Sequence, residues 1–170
     1  SIGHNIYVGA NVWEELDDLL KSTRYKGCRK FILLDENTSR HCLPILLANT
    51  EELADAEIIE IESGEKNKSL DVCYQLWSAL NDMEADRKSL LINLGGGVIC
   101  DIGGFVAATY KRGINFILIP TTLLAQVDAS VGGKLGIDFE DFKNHIGVFQ
   151  NPIATLIDSR FLKTLPKAEL

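Results

Sequence analysis

The chain has 170 residues, of which 46% are hydrophobic and 24% charged, and its net charge at pH 7 is −7. This composition is typical of one globular domain and excludes a disordered chain, while the acidic balance argues against a general nucleic-acid binder. Four scattered cysteines and the lack of an apolar run of membrane-spanning length predict a cytoplasmic protein with no disulfide framework, zinc ribbon or membrane partner.

The first half of the chain alternates short apolar runs with amphipathic ones. Strands are predicted at residues 5–8, 30–34 and 56–61, and helices at residues 12–20, 38–47 and 69–83. Asn11 is expected to cap the first of these helices. Pro44 is an unfavourable residue in the middle of the second helix.

The second half continues the same alternation. Strands are predicted at 90–94, 115–119 and 154–157, and helices at 98–110 and from Thr121 through Val127. Strands separated by helices of this length indicate βαβ units. We therefore expect an α/β, Rossmann-like domain with a mostly parallel sheet flanked by helices, and a ligand at the carboxyl ends of its strands.

A glycine turn joins the predicted strand at 90–94 to the helix at 98–110. Nine of the 14 glycines fall between Gly95 and Gly136. Gly95, Gly96 and Gly97 leave the backbone bare, and N–H groups at a helix N-terminus can bind phosphate. A simple tight turn explains these three glycines equally well, because the full Gly-x-Gly-x-x-Gly fingerprint is absent.

Cations lie in the same glycine-rich segment. Residues 131–134 combine two glycines with a lysine, and Lys143-Asn144 and Lys111-Arg112 add further polar and positive groups. Each is more often a solvated surface residue, but their clustering favours an anion site. The three histidines lack the spacing of metal ligands and are expected to be structural or exposed.

Three longer segments carry a resemblance to a known family. Residues 95–113, 119–134 and 143–147 closely resemble 3-dehydroquinate synthase. The loop at 63–68 is similar to the family's Gly-Glu-x-x-Lys element, and residues 161–166 are similar to its Leu-x-Thr-Leu-Pro element. The resemblance covers essentially the whole chain.

The resemblance implies an activity and its cofactors. Members of the family convert the sugar-acid phosphate DAHP into 3-dehydroquinate and phosphate in the shikimate pathway, using NAD catalytically together with a divalent metal, zinc or cobalt. The metal ligands would lie in a second, helical domain outside these 170 residues. Residues 1–170 would then be a single NAD-binding domain that is inactive alone, and the full-length protein would be a homodimer.

The resemblance also implies roles for individual residues. The implied cofactor-binding residues are Asp35, Asn37, Glu65, Lys68, Gly96, Gly97, Val98, Ile99, Cys100, Asp101, Thr121, Thr122, Leu124, Lys134, Lys143, Phe161, Leu162, Lys163 and Thr164. The implied catalytic residues are Asp128, Lys134, Lys143 and Asn144, which would face the substrate, and Arg112, which would reach a neighbouring subunit's phosphate site.

The chain departs from the family pattern around these residues. Leu135 stands where threonine is frequent and Asp138 where asparagine is frequent, and residues 140–142 replace the usual His-Pro-x-Gly. These positions affect the expected loop geometry more than the expected function.

Three other functions remain open at this stage. The chain could belong to another sugar-phosphate cyclase that makes an aminocyclitol-type ring, or to an NAD-dependent alcohol or glycerol dehydrogenase with the same architecture. A non-catalytic nucleotide-binding module is the third. The released product, net NADH formation and the downstream sequence distinguish them.

Overall fold

A computed structural model describes residues 5–131 and 133–166. The strands are β1 (Asn5–Val8), β2 (Lys30–Asp35), β3 (Glu57–Ile61), β4 (Leu90–Gly95), β5 (Asn115–Pro120), β6 (Lys134–Phe139), β7 (Phe142–Phe149) and β8 (Ala154–Ile157). The helices are α1 (Val12–Lys21), α2 (Glu36–His41), α3 (Leu43–Asn49), α4 (Leu70–Asp82), α5 (Gly97–Thr109) and α6 (Leu123–Val131), with 3₁₀ turns at Glu65–Asn67, Tyr110–Arg112 and Ser159–Thr164.

Six strands form one parallel sheet in the order β1-β8-β5-β4-β2-β3. The predicted fold class is therefore confirmed. The chain leaves β2 toward β3 on one side and returns to β4 on the other, so the strand order reverses between β2 and β4. In doubly wound sheets this reversal opens a crevice at the carboxyl ends of the strands, where ligands bind.

Helices cover both faces of the sheet because its central strands are apolar on both sides. Phe31 and Leu33 of β2 pack into a core with α4, α5 and the β6–β7 hairpin. Ile32 and Leu34 point the other way, into a core with α1 and α3. This double burial explains why the strands appear in the sequence as continuous apolar runs.

Two helix predictions differ from the structure. Residues 38–47 were expected to form one helix, and this was wrong: Cys42 separates α2 from α3. Pro44 lies in the first turn of α3, where its missing N–H has no intrahelical acceptor to lose. Asn11 precedes α1 as expected, but its side chain makes no capping hydrogen bond.

The β6–β7 hairpin is antiparallel and lies against α5, and no element was predicted for it. Leu135 of β6 packs so closely on α5 that a Cβ at Gly104 would overlap its side chain. At the preceding residue of α5, a Cβ at Gly103 would overlap the amide of Asn93 in β4. The two helical glycines thus allow α5 to lie tightly between the sheet and the hairpin.

Asp158 fixes the end of β8 to the rest of the domain. Its buried carboxylate accepts hydrogen bonds from Trp13 Nε1 at 3.1 Å and from Arg160 Nη2 at 2.6 Å. Burial disfavours its ionisation, but the hydrogen bonds and charge of Arg160, with that of Trp13, hold the pKa of Asp158 below its ordinary value.

Asp158→Asn is expected to lower the free energy of unfolding by about 1–3 kcal/mol at pH 7, because hydrogen bonds to a charged acceptor are lost. A depressed pKa stabilises the folded state above the unfolded pKa and loses that contribution as pH falls through the folded value. The difference from wild type should therefore shrink below about pH 4. Urea unfolding of the wild type and the variant at pH 7 and below about pH 4 measures this difference. Asp18→Asn, on the exposed face of α1, is the control. Equal losses in the two variants would contradict this role.

Candidate functional site

The glycine turn between β4 and α5 forms an uncapped helix N-terminus. Gly96 is the N-cap residue, with φ −80° and ψ −162°, and has no side chain to bond the first turn. The first helical N–H groups have no carbonyl within their own helix. Those of Gly97, Val98 and Ile99 therefore point outward, along a helix dipole that favours an anion.

The three glycines of this turn differ in the space around them. A Cβ at Gly95 would lie 2.7 Å from Ile99 Cβ, and one at Gly96 would lie 3.1 Å from Thr122 Cγ2. A Cβ at Gly97 would meet nothing within 4 Å. Gly95 and Gly96 are therefore explained by packing, whereas Gly97 leaves open space in front of the helix N-terminus.

That open space belongs to a cleft of about 610 Å³ between the start of α5, α6 and the hairpin. Its lining brings together six of the predicted site residues, which are Gly97, Cys100, Asp101, Asp128, Lys134 and Asn144. His145 lines it too, although the sequence indicated only a structural or exposed histidine. Exposed Lys143 directly precedes Asn144 but is not part of the lining.

Lys68 lies at the centre of a group of carboxylates. Its side chain is only 5% exposed, and its ammonium lies 3.0 Å from Asp101 Oδ2, 3.5 Å from Glu65 Oε1 and 3.9 Å from Asp138 Oδ1. These partners come from α5, a 3₁₀ turn and β6. The side chain of Lys68 thus links these three elements beside the cleft.

Charge and burial act against each other in this group. Burial lowers the pKa of Lys68, but Asp101, Glu65 and Asp138 together raise it above its ordinary value. Burial raises the pKa of Asp101, and the hydrogen bond from Lys68 only partly offsets this. Burial raises the pKa of Asp138, but the hydrogen bonds from the Asn144 N–H and with Glu65, together with nearby positive charges, lower it below its ordinary value.

The residues predicted on the adenosine side lie across the strand reversal, at the end of β2. Asp35 Oδ1 accepts a hydrogen bond from Thr38 N at 2.9 Å and so caps α2. Exposed Asn37 follows in the first turn of that helix. A shallow groove of about 570 Å³ opens beside them, lined by Glu36, Glu60, Ile61, Glu62, Ser63 and Lys66.

The threonines after β5 hold two elements together. Thr121 N donates to Gly95 O at 2.9 Å, which ties the end of β5 to the glycine turn. Thr122 Oγ1 accepts from Ala125 N at 3.2 Å and caps α6. Leu124 on that helix is 72% exposed, so its side chain is available to a ligand or another part of the protein.

The segment predicted to close over the cofactor forms a 3₁₀ turn at Ser159–Thr164. The ring of Phe161 is fully buried and meets Trp13 edge-on, with ring centroids 5.8 Å apart. Leu162 and Thr164 are half-buried, and Lys163 is exposed. Phe161 therefore anchors this segment, and its neighbours remain accessible.

Arg112 lies at the other end of α5 from the cleft. It is exposed, in the turn that leads into β5, with a positive φ of 69°. A 13-residue helix is about 20 Å long, so Arg112 cannot reach the cleft of its own chain.

Several other predicted features concern reactivity and location. Cys100 is buried at the back of the cleft, and burial raises the pKa of its thiol, which makes the thiol unreactive. All four cysteines are free.

Within residues 5–131 and 133–166, no three His, Cys, Asp or Glu side chains are grouped to hold a metal ion. Over those same ranges, no helix is both long and apolar enough to cross a membrane.

A parallel α/β domain whose central helix N-terminus faces a cleft lined by apolar residues and a few charged and polar ones is typical of nucleotide-binding enzymes. The family model for the 3-dehydroquinate synthase N-terminal domain matches residues 58–170, and the chain belongs to this family. It is 48% identical over 153 residues to 3-dehydroquinate synthase of Parabacteroides distasonis, covering 90% of this chain and 42% of that protein. The corresponding enzyme of Ruminiclostridium cellulolyticum is 42% identical, with 95% and 45% covered.

Solved structures support the fold. The 2-epi-5-epi-valiolone synthase ValA of Streptomyces hygroscopicus subsp. jinggangensis, solved with NAD⁺ and Zn²⁺ bound, superposes with a TM-score of 0.83 at 28% identity, covering 99% of this chain and 46% of that one. A 2-deoxy-scyllo-inosose synthase gives a TM-score of 0.86 at 24% identity, with 98% and 47% covered. The chain thus spans less than half the length of the relatives it matches.

Proposed function

We propose that this chain is the NAD-binding domain of a 3-dehydroquinate synthase, which converts DAHP into 3-dehydroquinate and phosphate. The observation that carries the proposal is the uncapped start of α5, which opens at Gly97 onto a cleft shared with Lys134 and Asn144. Identity of 48% to a named 3-dehydroquinate synthase supports this reaction over that of other sugar-phosphate cyclases.

The chain's residues fit a dinucleotide across the strand reversal. The N–H groups of Gly97 and Val98 would hold the pyrophosphate, because the open side of Gly97 lets its oxygens approach the backbone. Asp35 and Asn37 at the end of β2 would meet the adenosine side. When bound, NAD would take a hydride from the carbon that bears a ring hydroxyl, with loss of the hydroxyl proton, and would later return the hydride. The ketone present in between makes the neighbouring C–H more acidic.

The substrate is a sugar acid that carries a phosphate and a carboxylate. Lys134 in the cleft lining and exposed Lys143 beside it would bind these anionic groups, and the amide of Asn144 would add a neutral hydrogen bond. The carboxylate of Asp128, on the opposite wall, would accept hydrogen bonds from ring hydroxyls. Together these groups would orient the phosphate beside the proton that is removed when phosphate leaves.

The remaining parts of the function need more protein than these 170 residues. Because the matched relatives are about twice as long, we propose that the divalent metal, zinc or cobalt, is held by a second domain. A homodimer would give exposed Arg112 a phosphate site in the neighbouring subunit. The four free cysteines suit a reducing compartment, which supports a cytoplasmic location.

The proposed function is tested by assaying the full-length protein with DAHP, NAD and zinc or cobalt. We expect phosphate and 3-dehydroquinate in equal amounts, dependence on NAD, and no accumulation of NADH, because the hydride is returned. Phosphate release from a different sugar phosphate only would indicate another cyclase. Net NADH formation with a simple alcohol would instead indicate a dehydrogenase.

A further inference from the structure

The β6–β7 hairpin contains an irregular bulge beside the cleft. Ile137 pairs with Ile146, and Phe139 pairs with Phe142. Between these pairs a single residue of β6, Asp138, therefore faces the three β7 residues at 143–145. Bulges interrupt strand pairing and redirect side chains, often next to a functional site.

The side chain of Asp138 bonds to β7 at the point where the backbone pairing of the two strands is interrupted. Its Oδ1 accepts a hydrogen bond from the backbone N–H of Asn144 at 2.8 Å. Asn144 has a left-handed φ of 53°, a conformation that asparagine tolerates but that needs support from its surroundings. The carboxylate of Asp138 thus holds the backbone at the middle of the bulge.

Lys68 fixes Asp138 in turn, through both its backbone and its side chain. Asp138 N donates to Lys68 O at 2.9 Å, and the Lys68 ammonium lies 3.9 Å from Asp138 Oδ1. The same ammonium lies 3.0 Å from Asp101 Oδ2 on α5. The bulge is therefore connected to the helix whose N-terminus opens on the cleft.

The other side of the bulge is held by aromatic rings. The imidazole of His145 lies 5.1 Å from the ring of Phe142 and is stacked on Phe139 at 6.5 Å. This packing holds His145 in the bulge next to Asn144, and both residues line the cleft. The bulge is therefore held by these aromatic contacts and by the hydrogen bond to Asp138, and the hydrogen bond fixes the orientation of Asn144.

We propose that Asp138 is a positioning residue for substrate binding: by holding the Asn144 N–H, it directs Asn144 and Lys143 toward the substrate in the cleft. Asp138 itself contacts neither substrate nor cofactor in this account. The proposal rests on the proposed function for its kinetic consequence, but its structural part concerns the Asn144 amide alone.

Three substitutions at Asp138 separate the hydrogen-bond acceptor from the charge. Asp138→Ala removes both, Asp138→Asn keeps the Oδ1 acceptor without the charge, and Asp138→Glu keeps the charge but moves the acceptor by one methylene. Asp141→Ala, at the exposed hairpin turn, is the matched control. The full-length protein is used, and thermal unfolding confirms that each variant is folded.

The first measurement is hydrogen exchange of the Asn144 amide without substrate. We expect exchange about ten- to a hundredfold faster in Asp138→Ala and Asp138→Glu, and close to wild type in Asp138→Asn and in the control. Exchange that stays within about twofold of wild type in both Asp138→Ala and Asp138→Glu would overturn the proposal. This result is independent of whether the protein turns over DAHP.

The second measurement is steady-state kinetics with DAHP. We expect KM to rise about tenfold or more in Asp138→Ala and Asp138→Glu, while the Kd of NAD changes less than about twofold. Equal losses of substrate and NAD affinity would show a general structural role and contradict the proposal. A wild-type protein that releases no phosphate would refute the proposed function, and the exchange measurement would still decide the position of Asn144.

Discussion

Gly97→Ala is expected to weaken NAD binding about 10- to 100-fold, because a methyl group would occupy the space in which the pyrophosphate approaches the backbone. The same change should leave the free energy of unfolding unchanged or slightly higher. The new Cβ meets no protein atom within 4 Å, and alanine is preferred over glycine in a helix. Calorimetric titration with NAD and urea unfolding measure the two effects.

Gly95→Ala is the matched control for that variant. Its Cβ would lie 2.7 Å from Ile99 Cβ, so it should lower the free energy of unfolding by about 1–3 kcal/mol through overpacking. The two glycines, two residues apart, are thus expected to show opposite patterns. Normal NAD affinity in a stable Gly97→Ala protein would contradict a ligand in front of this helix.

Lys134→Ala is expected to lower kcat/KM for DAHP about 10²- to 10³-fold in the full-length enzyme, because a cation that stabilises the departing phosphate is lost from the cleft. The Kd of NAD should change less than about threefold, since the pyrophosphate is held by backbone N–H groups. Steady-state kinetics and NAD titration give both quantities.

The control for this variant is Lys88→Ala, which removes an exposed lysine from the turn before β4. It changes the net charge of the protein by the same amount as Lys134→Ala but lies away from the cleft lining. A Lys134→Ala enzyme that turns over as fast as the Lys88→Ala enzyme would show that Lys134 is only a surface charge.

The central sheet could be predicted because burial on two faces leaves a direct pattern in the sequence. β2 and β5 contain unbroken apolar runs that end at aspartate and proline, and β4 is apolar except for Asn93 and ends at glycine. Such runs are too short for helices of typical length and are typical of parallel strands. The glycine turn and its helix followed from the same pattern.

The hairpin could not be predicted in this way. β7 is largely exposed and carries Lys143, Asn144 and His145 in succession, so it lacks the alternation of a half-buried strand. Its bulge further disrupts the period of two. The sequence therefore predicted the chemical role of these residues, but not their position in one wall of the cleft.

Two site residues also have a structural role, Lys68 through long-range contacts and Asp35 through a local one. Lys68 is buried by carboxylates 33 and 70 residues further along the chain, at Asp101 and Asp138. Asp35 caps α2 through Thr38 as well as lying at the predicted adenosine side. Sequence spacing carries no information on contacts of the first kind, because they depend on how the hairpin packs beside α5.

In the proposed function, backbone N–H groups after β4 hold the pyrophosphate of NAD. A crystal structure of the protein with NAD tests it most directly. We expect pyrophosphate oxygens about 3 Å from the nitrogens of Gly97 and Val98, with the adenosine toward the end of β2. NAD bound elsewhere, with the space in front of Gly97 left open, would contradict it.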